Sequence, residues 1–416
     1  MDLELITIGD ELLLGFTVDT NAAHIARELA AMGVSIVRRA TVGDTAADIV
    51  ACVRDALDRT GAVITTGGLG PTADDLTRPA IAELFGRELV PDETRWEALR
   101  ALWRERGRGE IPQSNRAQIM IPRGATVLEN RHGTAPGLWL EDDRRRWCAM
   151  LPGVPREMRG MLGDEIIPRL TARLGGTGRR VVRSRTVRTT GIAESSIAEL
   201  LGPHAANLNG LSLAYLPGQE GVDLRVTARD LEEADADAVL AAAAKELRSH
   251  AERYAYADGA VDLASVVLDL CAERSLHIAV AESCTGGLLG ARLTAIAGSS
   301  AVVLGGVIAY SNPVKERLLG VASDTLARHG AVSEEVAIEM AAGARAATGA
   351  EIGISVTGVA GPRGGTPEKP VGLVWIAVNV SGQVRTLGSQ FIGDRAEIRF
   401  RATQAALDLV RRMVTG

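Results

Sequence analysis

The sequence predicts an α/β protein: two three-layer α/β domains joined by a small α+β segment. Three observations carry this. At 416 residues the chain is too long for one ordinary hydrophobic core. Its opening stretch alternates strand and helix patterns in β-α-β-α-β order, which implies a parallel sheet covered on both faces. A later block, beginning near Val261, brings strands and helices of its own and can fold as a separate layered domain.

The elements follow in order. Leu3 to Ile8 is an apolar strand that runs into Gly9-Asp10-Glu11. A helix starts near Asn21; Ile25, Leu29 and Met32 mark one face, and Gly33 ends it. Val34 to Val42 alternates as a strand and ends in Gly43-Asp44. Val50, Val53 and Leu57 mark a second helix, and Ala62 to Thr66 is a third strand, leading into Gly67-Gly68-Leu69-Gly70-Pro71-Thr72. Residues 91–170 continue less regularly. Leu174 to Gly178 reads as a linker, and 180–255 as a β-α-α-β-β-α-like segment with strands at Val187–Thr190 and Val222–Ala228 and a helix at Glu232–His250. The last block has strands at Ile278–Ala281, Ala301–Tyr310, Ile352–Val356, Gly372–Val380 and Val384–Phe391. Its helices start near Ser283, Ser333 and Asp394, the last with Glu397 in a capping-box position. The expected domains are 1–170, 171–255 and 256–416.

Composition narrows the class. The chain is 46% hydrophobic and 24% charged, as in folded soluble proteins. A net charge of −6 argues against a nucleic-acid partner. The local clusters Arg144 to Arg146 and Arg179, Arg180, Arg183, Arg185 and Arg188 read mostly as solvated faces. Cys52, Cys148, Cys271 and Cys284 show no CxxC spacing, so neither a zinc site nor a disulfide framework is expected. No apolar run reaches membrane-spanning length and no signal peptide is seen, so the expected compartment is the cytoplasm.

Asp10, Asp44, Asp74 and Asp75 fall at strand ends or loop starts. Ligands of open parallel sheets bind at the carboxyl ends of strands. The glycines of the 67–72 loop let backbone N–H groups approach a phosphate. Phosphate-cradling glycines beside carboxylates that hold a hard cation make a phosphoester or pyrophosphate site. The competing reading is that these residues cap helices and make turns.

These residues carry a resemblance. Gly9 to Leu13, Asp19-Thr20-Asn21, Thr41 to Asp44, Thr65 to Thr72 with Asp74 to Thr77, Gly133 to Gly137 and Leu151 to Pro155 resemble the N-terminal domain of the competence-damage-inducible CinA family. That domain is similar to the molybdopterin-binding fold. The resemblance implies hydrolysis of ADP-ribose to AMP and ribose 5-phosphate, dependent on a divalent metal such as magnesium, cobalt, manganese or nickel. Asp10, Asp44, Asp74 and Asp75 would serve the metal, and Gly67, Gly68, Gly70 and Thr72 the substrate.

All but three of the 46 basic residues of the chain are arginine; of the lysines, Lys245 sits in an Ala-rich polar helix and reads as a surface residue, whereas Lys315 and Lys369 of the last block are candidates for lysine-specific chemistry. A guanidinium cannot act as a base at neutral pH, whereas a desolvated amine can. Ala281-Glu282-Ser283-Cys284-Thr285-Gly286-Gly287 lies between a strand and a helix, where a serine faces the crevice and adjacent N–H groups can hold an oxyanion. Lys315 beside Tyr310 offers a Ser–Lys(–Tyr) alternative to Ser–His–Asp. His277 and His329 sit in no motif-like setting. Cys284 is a rival nucleophile, Ser283 could be a plain helix N-cap, and Lys315 a solvated surface amine. Thr357 to Pro362, Gly364 to Gly372 and Arg395 supply anion-binding loops and a possible phosphate clamp.

Ala281 to Gly287, Gly298 to Ala301, Ala309 to Lys315 with Leu319 to Val321, Gly330 to Glu335, Thr357 to Pro362, Gly364 to Gly372 and Gly393 to Arg395 resemble the C-terminal, nicotinamide-nucleotide amidase module of the CinA family. The family has a KH-like segment where 171–255 lies. This resemblance implies deamidation of nicotinamide mononucleotide to nicotinate mononucleotide and ammonia, without a cofactor. Ser283, Tyr310 and Lys315 match the catalytic positions. Thr285, Gly286, Gly287, Asn312, Ser333, Thr357, Gly358, Gly361, Lys369 and Arg395 are the expected substrate contacts. A homodimer is implied as well. The alternative is a regulatory protein of competence or the DNA-damage response, whose N-terminal domain binds a nucleotide or pterin without turnover.

Overall fold

The computed structural model describes residues 1–107, 109–175, 180–206 and 208–416. Residues 176–178 of the expected linker, and Arg179, lie outside them. The chain forms two compact units: Met1–Arg183 with Ala228–Asp237, and Ser184–Thr227 with Ala238–Gly416.

The first unit is built on a six-stranded sheet. Its strands are β1 (Asp2–Ile8), β2 (Ser35–Val42), β3 (Ala62–Thr66), β6 (Thr126–Leu128), β7 (Gly137–Glu141) and β8 (Trp147–Leu151), in the order β2-β1-β3-β8-β7-β6. A small ribbon of β4 (Leu89–Pro91) and β5 (Met120–Pro122) lies apart from it. The strands β2, β1, β3 and β8 run parallel, and at the edge β7 runs antiparallel to both β8 and β6. Alternation along β1 sorts the core into two layers. Leu3 and Leu5 pack with Ile25 and Leu29 of helix Thr20–Ala31, and Ile6 and Ile8 with Ile49 and Val53 of helix Ala46–Thr60. Each such buried aliphatic side chain contributes about 1.5–3 kcal/mol. Glu4, buried on the second face, is held by the Arg59 guanidinium at 2.6 Å.

Residues 91–170 are more regular than the sequence pattern suggests. β7 and β8 are buried almost throughout, so they lack the period-2 signal of a half-exposed strand. Trp139 and Trp147 stack across them at 4.2 Å. The helix from Pro155 to Leu174 passes through a π turn at Leu162–Ile166, next to Pro168, which has no N–H to donate.

The second unit contains most of a four-stranded sheet, β10 (Ser212–Pro217), β11 (Val222–Glu232), β9 (Arg180–Thr189) and β12 (Ala255–Asp258), and all of a five-stranded one. The latter has β13 (Ile278–Glu282), β14 (Val303–Ile308), β15 (Ile352–Gly358), β16 (Leu373–Val380) and β17 (Gln383–Gln390), in the order β14-β13-β15-β16-β17. Helices Leu263–Glu273 and Arg395–Thr415 cover one face, through Leu268, Ile398, Leu407 and Val410. Helix Glu334–Thr348 covers the other, packing Met340 and Ala344 near Ala279 and Ala281. The expected capping box at Asp394 and Glu397 is present. The strand expected at 301–310 is shorter, because a 3-10 turn at Ser299–Ala301 precedes it.

The four-stranded sheet is tied to the five-stranded domain by buried polar contacts. Gln404 Nε2 donates to Thr190 Oγ1 at 3.2 Å and to the Glu220 carbonyl at 3.0 Å, and Arg411 donates to the Arg253 carbonyl at 2.8 Å. Three arginines of 180–188 are ion-paired, Arg183 with Glu233 and Asp237, Arg185 with Asp258, and Arg188 with Glu220 and Asp223, while Arg180 donates to the Asp230 carbonyl. Among the described residues, no helix is long and apolar enough to cross a membrane.

Candidate active sites

Strand order and register converge the first constellation. β1 lies between β2 and β3, so connections leave it in both directions, and the crevice opens at the carboxyl ends of these strands. Ile8 is level with Val42, Thr7 with Thr66, and Thr66 with Leu151. Gly9-Asp10, Gly43-Asp44, the 67–72 loop and Pro152-Gly153 therefore share one rim. Gly9, Asp44, the 67–71 part of the loop and Pro152-Gly153 line a cavity of about 490 Å³ together with Glu11, Asn21, Asp74 and Asp75, and Asp10 reaches its edge through its contact with Asp44.

Asp10 and Asp44 face each other. The Asp10 N–H donates to Asp44 Oδ2 at 2.9 Å, and the Asp44 N–H to Asp10 Oδ1 at 3.2 Å. Burial pushes the Asp44 carboxyl above its usual range, and the charges of Asp10, Glu11 and Asp74 push the same way, against the hydrogen bond from Asp10. A divalent cation would relieve the repulsion of the facing Asp10 and Asp44 carboxylates, but the carboxylate oxygens of Asp10, Asp44 and Asp74 do not lie within 4.8 Å of one another, so they would have to move together to share one. Asp75 does different work. Its Oδ1 accepts from the Gly70 N–H at 2.7 Å and its Oδ2 from the Thr72 N–H at 2.8 Å, so it braces the loop. Thr77 Oγ1 donates to the Gly67 carbonyl at 2.8 Å, and the buried Arg78 to the Leu69 carbonyl at 3.0 Å. At Gly67, φ is +112°, and a Cβ would stand 2.1 Å from the Ile8 carbonyl oxygen, so only glycine lets the loop lie against β1. The sequence reading gave no role to Glu11 or Arg78.

The second constellation forms by the same rule. β13 lies between β14 and β15, with Glu282 level with both Ile308 and Val356. Ser283, Ala309-Tyr310 and Thr357 thus leave the sheet side by side. Helix Asn312–Leu319 starts at once, with Pro313 in its first turn, and turns Lys315 and Leu319 inward. Lys315 is 1% exposed. Its Nζ stands 3.0 Å from Ser283 Oγ and donates to the Ala309 carbonyl at 2.7 Å. Burial lowers the Lys315 pKa below the ordinary lysine value. The Cys284 thiol is pushed up to about 12 by burial, which leaves it a poor thiolate source. His277 and His329 engage Glu351 and Glu335 and neither touches Ser283.

The remaining expected contacts divide. Arg395 donates to the Gly361 carbonyl and to the Tyr310 hydroxyl, both at 2.7 Å. Tyr310 is therefore joined to Arg395 rather than to the Ser283–Lys315 pair. Thr357 Oγ1 donates to the Ala331 carbonyl at 2.7 Å, and Ser333 caps helix Glu334–Thr348. Gly358 packs against the Leu373 carbonyl. Asn312 opens its helix on the surface. Lys369 donates to the His329 carbonyl and is not brought to Ser283.

Gly286 and Gly287 make the turn after Ser283, where φ at Gly287 is +96°. The buried Glu282 carboxylate accepts from the N–H groups of Gly287 at 3.0 Å, Leu289 at 3.0 Å and Gly290 at 2.8 Å. It thereby fixes the turn and takes up the N-terminus of helix Leu288–Thr294. Arg399 grips the Thr285 carbonyl with Nε at 3.1 Å and Nη2 at 2.6 Å. The Thr285 hydroxyl is fully buried without a protein partner. Glu282 and Arg399 were not singled out from the sequence, although Arg399 stands four residues after Arg395 on one helix face. Glu282→Ala should destabilise this unit by about 3–5 kcal/mol, since it strands three N–H groups. Calorimetry of the full chain would read this as a lowered transition for one unit, and an unchanged transition would count against the brace.

Both geometries can be set beside known proteins. A "CinA-like protein" from Gemmatimonas aurantiaca is 60% identical over 412 residues, 99% of this chain and 96% of its own length. The chain belongs to the CinA family. Three family descriptions match along it: "Probable molybdopterin binding domain" over residues 4–172, "Damage-inducible protein CinA KH domain" over 184–257, and "CinA C-terminal domain" over 260–414. A CinA-like protein of Kosmotoga olearia is 41% identical, covering 99% of this chain and 98% of its own length. Among solved structures, a competence/damage-inducible protein from Agrobacterium tumefaciens is 41% identical. It covers 37% of this chain and 94% of its own, at a TM-score of 0.36. The two rims described above fall in the first and last of the CinA-family domains, one in each.

Proposed function

We propose that this CinA-family chain is a cytoplasmic, homodimeric, bifunctional hydrolase of pyridine-nucleotide salvage. Its C-terminal domain deamidates nicotinamide mononucleotide to nicotinate mononucleotide and ammonia. The observation that carries this reading is the buried Lys315 amine 3.0 Å from Ser283 Oγ. A binding protein has no use for an amine desolvated against a serine, and burying one is costly.

In this reading neutral Lys315 accepts the Ser283 proton as Oγ attacks the carboxamide carbon. The oxyanion is held by N–H groups of the Cys284–Thr285 turn, left over once Glu282 has taken those of the helix. Collapse breaks the C–N bond, and the Lys315 ammonium gives its proton to the departing nitrogen, which leaves as ammonia. A water then attacks the acyl-enzyme, Lys315 takes its proton, and Ser283 regains it as the carboxylic acid departs. Arg395, with Tyr310 alongside, would clamp the substrate phosphate. The test is ammonia release from nicotinamide mononucleotide by the purified chain. Absence of release at saturating substrate would sink the reading.

The N-terminal domain would hydrolyse ADP-ribose to AMP and ribose 5-phosphate. Asp10, Asp44 and Asp74 would hold a divalent cation, which supplies charge neutralisation at phosphoryl oxygens. The 67–72 loop, stiffened by Asp75 and Arg78, would present its N–H groups to the pyrophosphate. Asp44→Asn should raise the melting temperature of the metal-free protein while removing the further rise on adding magnesium. An undiminished magnesium shift in that variant would rule Asp44 out of the cation site.

A further inference from the structure

Two of the six histidines lie in the KH-like segment, and neither active-site reading uses them. His250 ends helix Glu233–His250, one turn beyond Glu246 and on the same face. His204 comes from the other helix of the segment, Glu194–Ala206. That helix is broken at Gly202, with φ 43° and ψ −126°, and Pro203 follows. The break redirects the last turn and lays the His204 ring on that of His250, with centroids 3.7 Å apart and planes 24° from parallel. His204 Nδ1 stands 3.7 Å from Glu246 Oε1. One ligand atom from each of His204, Glu246 and His250 lies within 4.8 Å of the other two.

We propose that His204, Glu246 and His250 form a binding site for a zinc-class divalent cation, separate from the acidic rim of the N-terminal domain. Two imidazoles and one carboxylate are a donor set that such an ion takes, with a fourth position left to water. Zinc–ligand bonds of about 2.0–2.2 Å place donors roughly 3.3 Å apart around a tetrahedral ion. The stacked rings must swing out of their stack to bind it, since the in-plane lone pairs of near-parallel imidazoles do not converge on one ion. His204 and Glu246 are 49% and 41% exposed, so nothing blocks that swing or the entry of the ion. Imidazole selects zinc, copper and nickel, whereas the all-oxygen rim of Asp10, Asp44 and Asp74 suits magnesium or manganese. The bound ion would pin the broken end of helix Glu194–Ala206 to helix Glu233–His250.

The test is equilibrium dialysis of the chelator-treated full-length chain against Zn²⁺ in excess Mg²⁺. Wild type is expected to hold about one more zinc per chain than H204A/H250A, and E246Q to bind that zinc more than roughly tenfold more weakly. H204A and H250A are assayed singly as well, with circular dichroism alongside, so a misfolded double variant does not decide the matter. Zinc should also raise the melting temperature of wild type and fail to raise that of a folded single variant. Equal zinc content and equal affinity in wild type and in folded H204A and H250A would overturn the proposal.

Discussion

Lys315→Arg is expected to lower kcat for ammonia release from nicotinamide mononucleotide by roughly 10³-fold or more. Arginine keeps the positive charge but does not give up its proton to become a base. The Lys315 amine, by contrast, is buried beside Ser283 and has its pKa depressed by that burial. Ser283→Ala should cost as much, and the double variant little more, because a nucleophile and its base act as a unit. The pH profile follows from the sign of the shift. The working form is the neutral amine, so wild-type kcat should climb as pH rises through the Lys315 pKa and level off above it. A lowered pKa moves that climb below the range of an ordinary lysine. Near-wild-type ammonia release by a folded Lys315→Arg protein would show that another group takes the serine proton.

Chelator is expected to abolish AMP formation from ADP-ribose and to leave ammonia release almost unchanged. Pyrophosphate hydrolysis concentrates negative charge on phosphoryl oxygens, where a cation lowers the barrier by several kcal/mol. In the proposed mechanism the Ser283–Lys315 pair would hold its oxyanion with backbone N–H groups and call for no Lewis acid. One sample divided between the two assays controls for misfolding. Magnesium should restore AMP formation. Zinc alone, filling the His204–Glu246–His250 cluster, should not substitute for it there. If ammonia release also collapses in chelator and returns with magnesium, the division of labour between the domains is wrong.

The fold was legible where burial was one-sided. Helix Thr20–Ala31 shows Ile25 and Leu29 against polar neighbours, and its period is plain. β7 and β8 are buried on both faces, and their short apolar runs carry no period at all. At the C-terminal rim, the scarcity of lysine singled out Lys315, and the strand–turn placement singled out Ser283. The supporting groups were hidden because they act on the backbone. Glu282 works through three N–H groups and Asp75 through two, and no side-chain pattern announces such bonds. The His204–His250 pair was invisible for another reason. Its members are far apart in the chain, and a broken helix end, which no periodicity describes, brings them together.

The contacts of Gln404 and Arg411 bear on how this chain can be cut. Both side chains sit on the last helix and hand their hydrogen bonds to Thr190, Glu220 and Arg253, upstream of residue 256. A fragment trimmed to 256–416 keeps every group of the Ser283 rim but bares a polar seam evolved to be covered. Starting the fragment at Ser184 retains the cover.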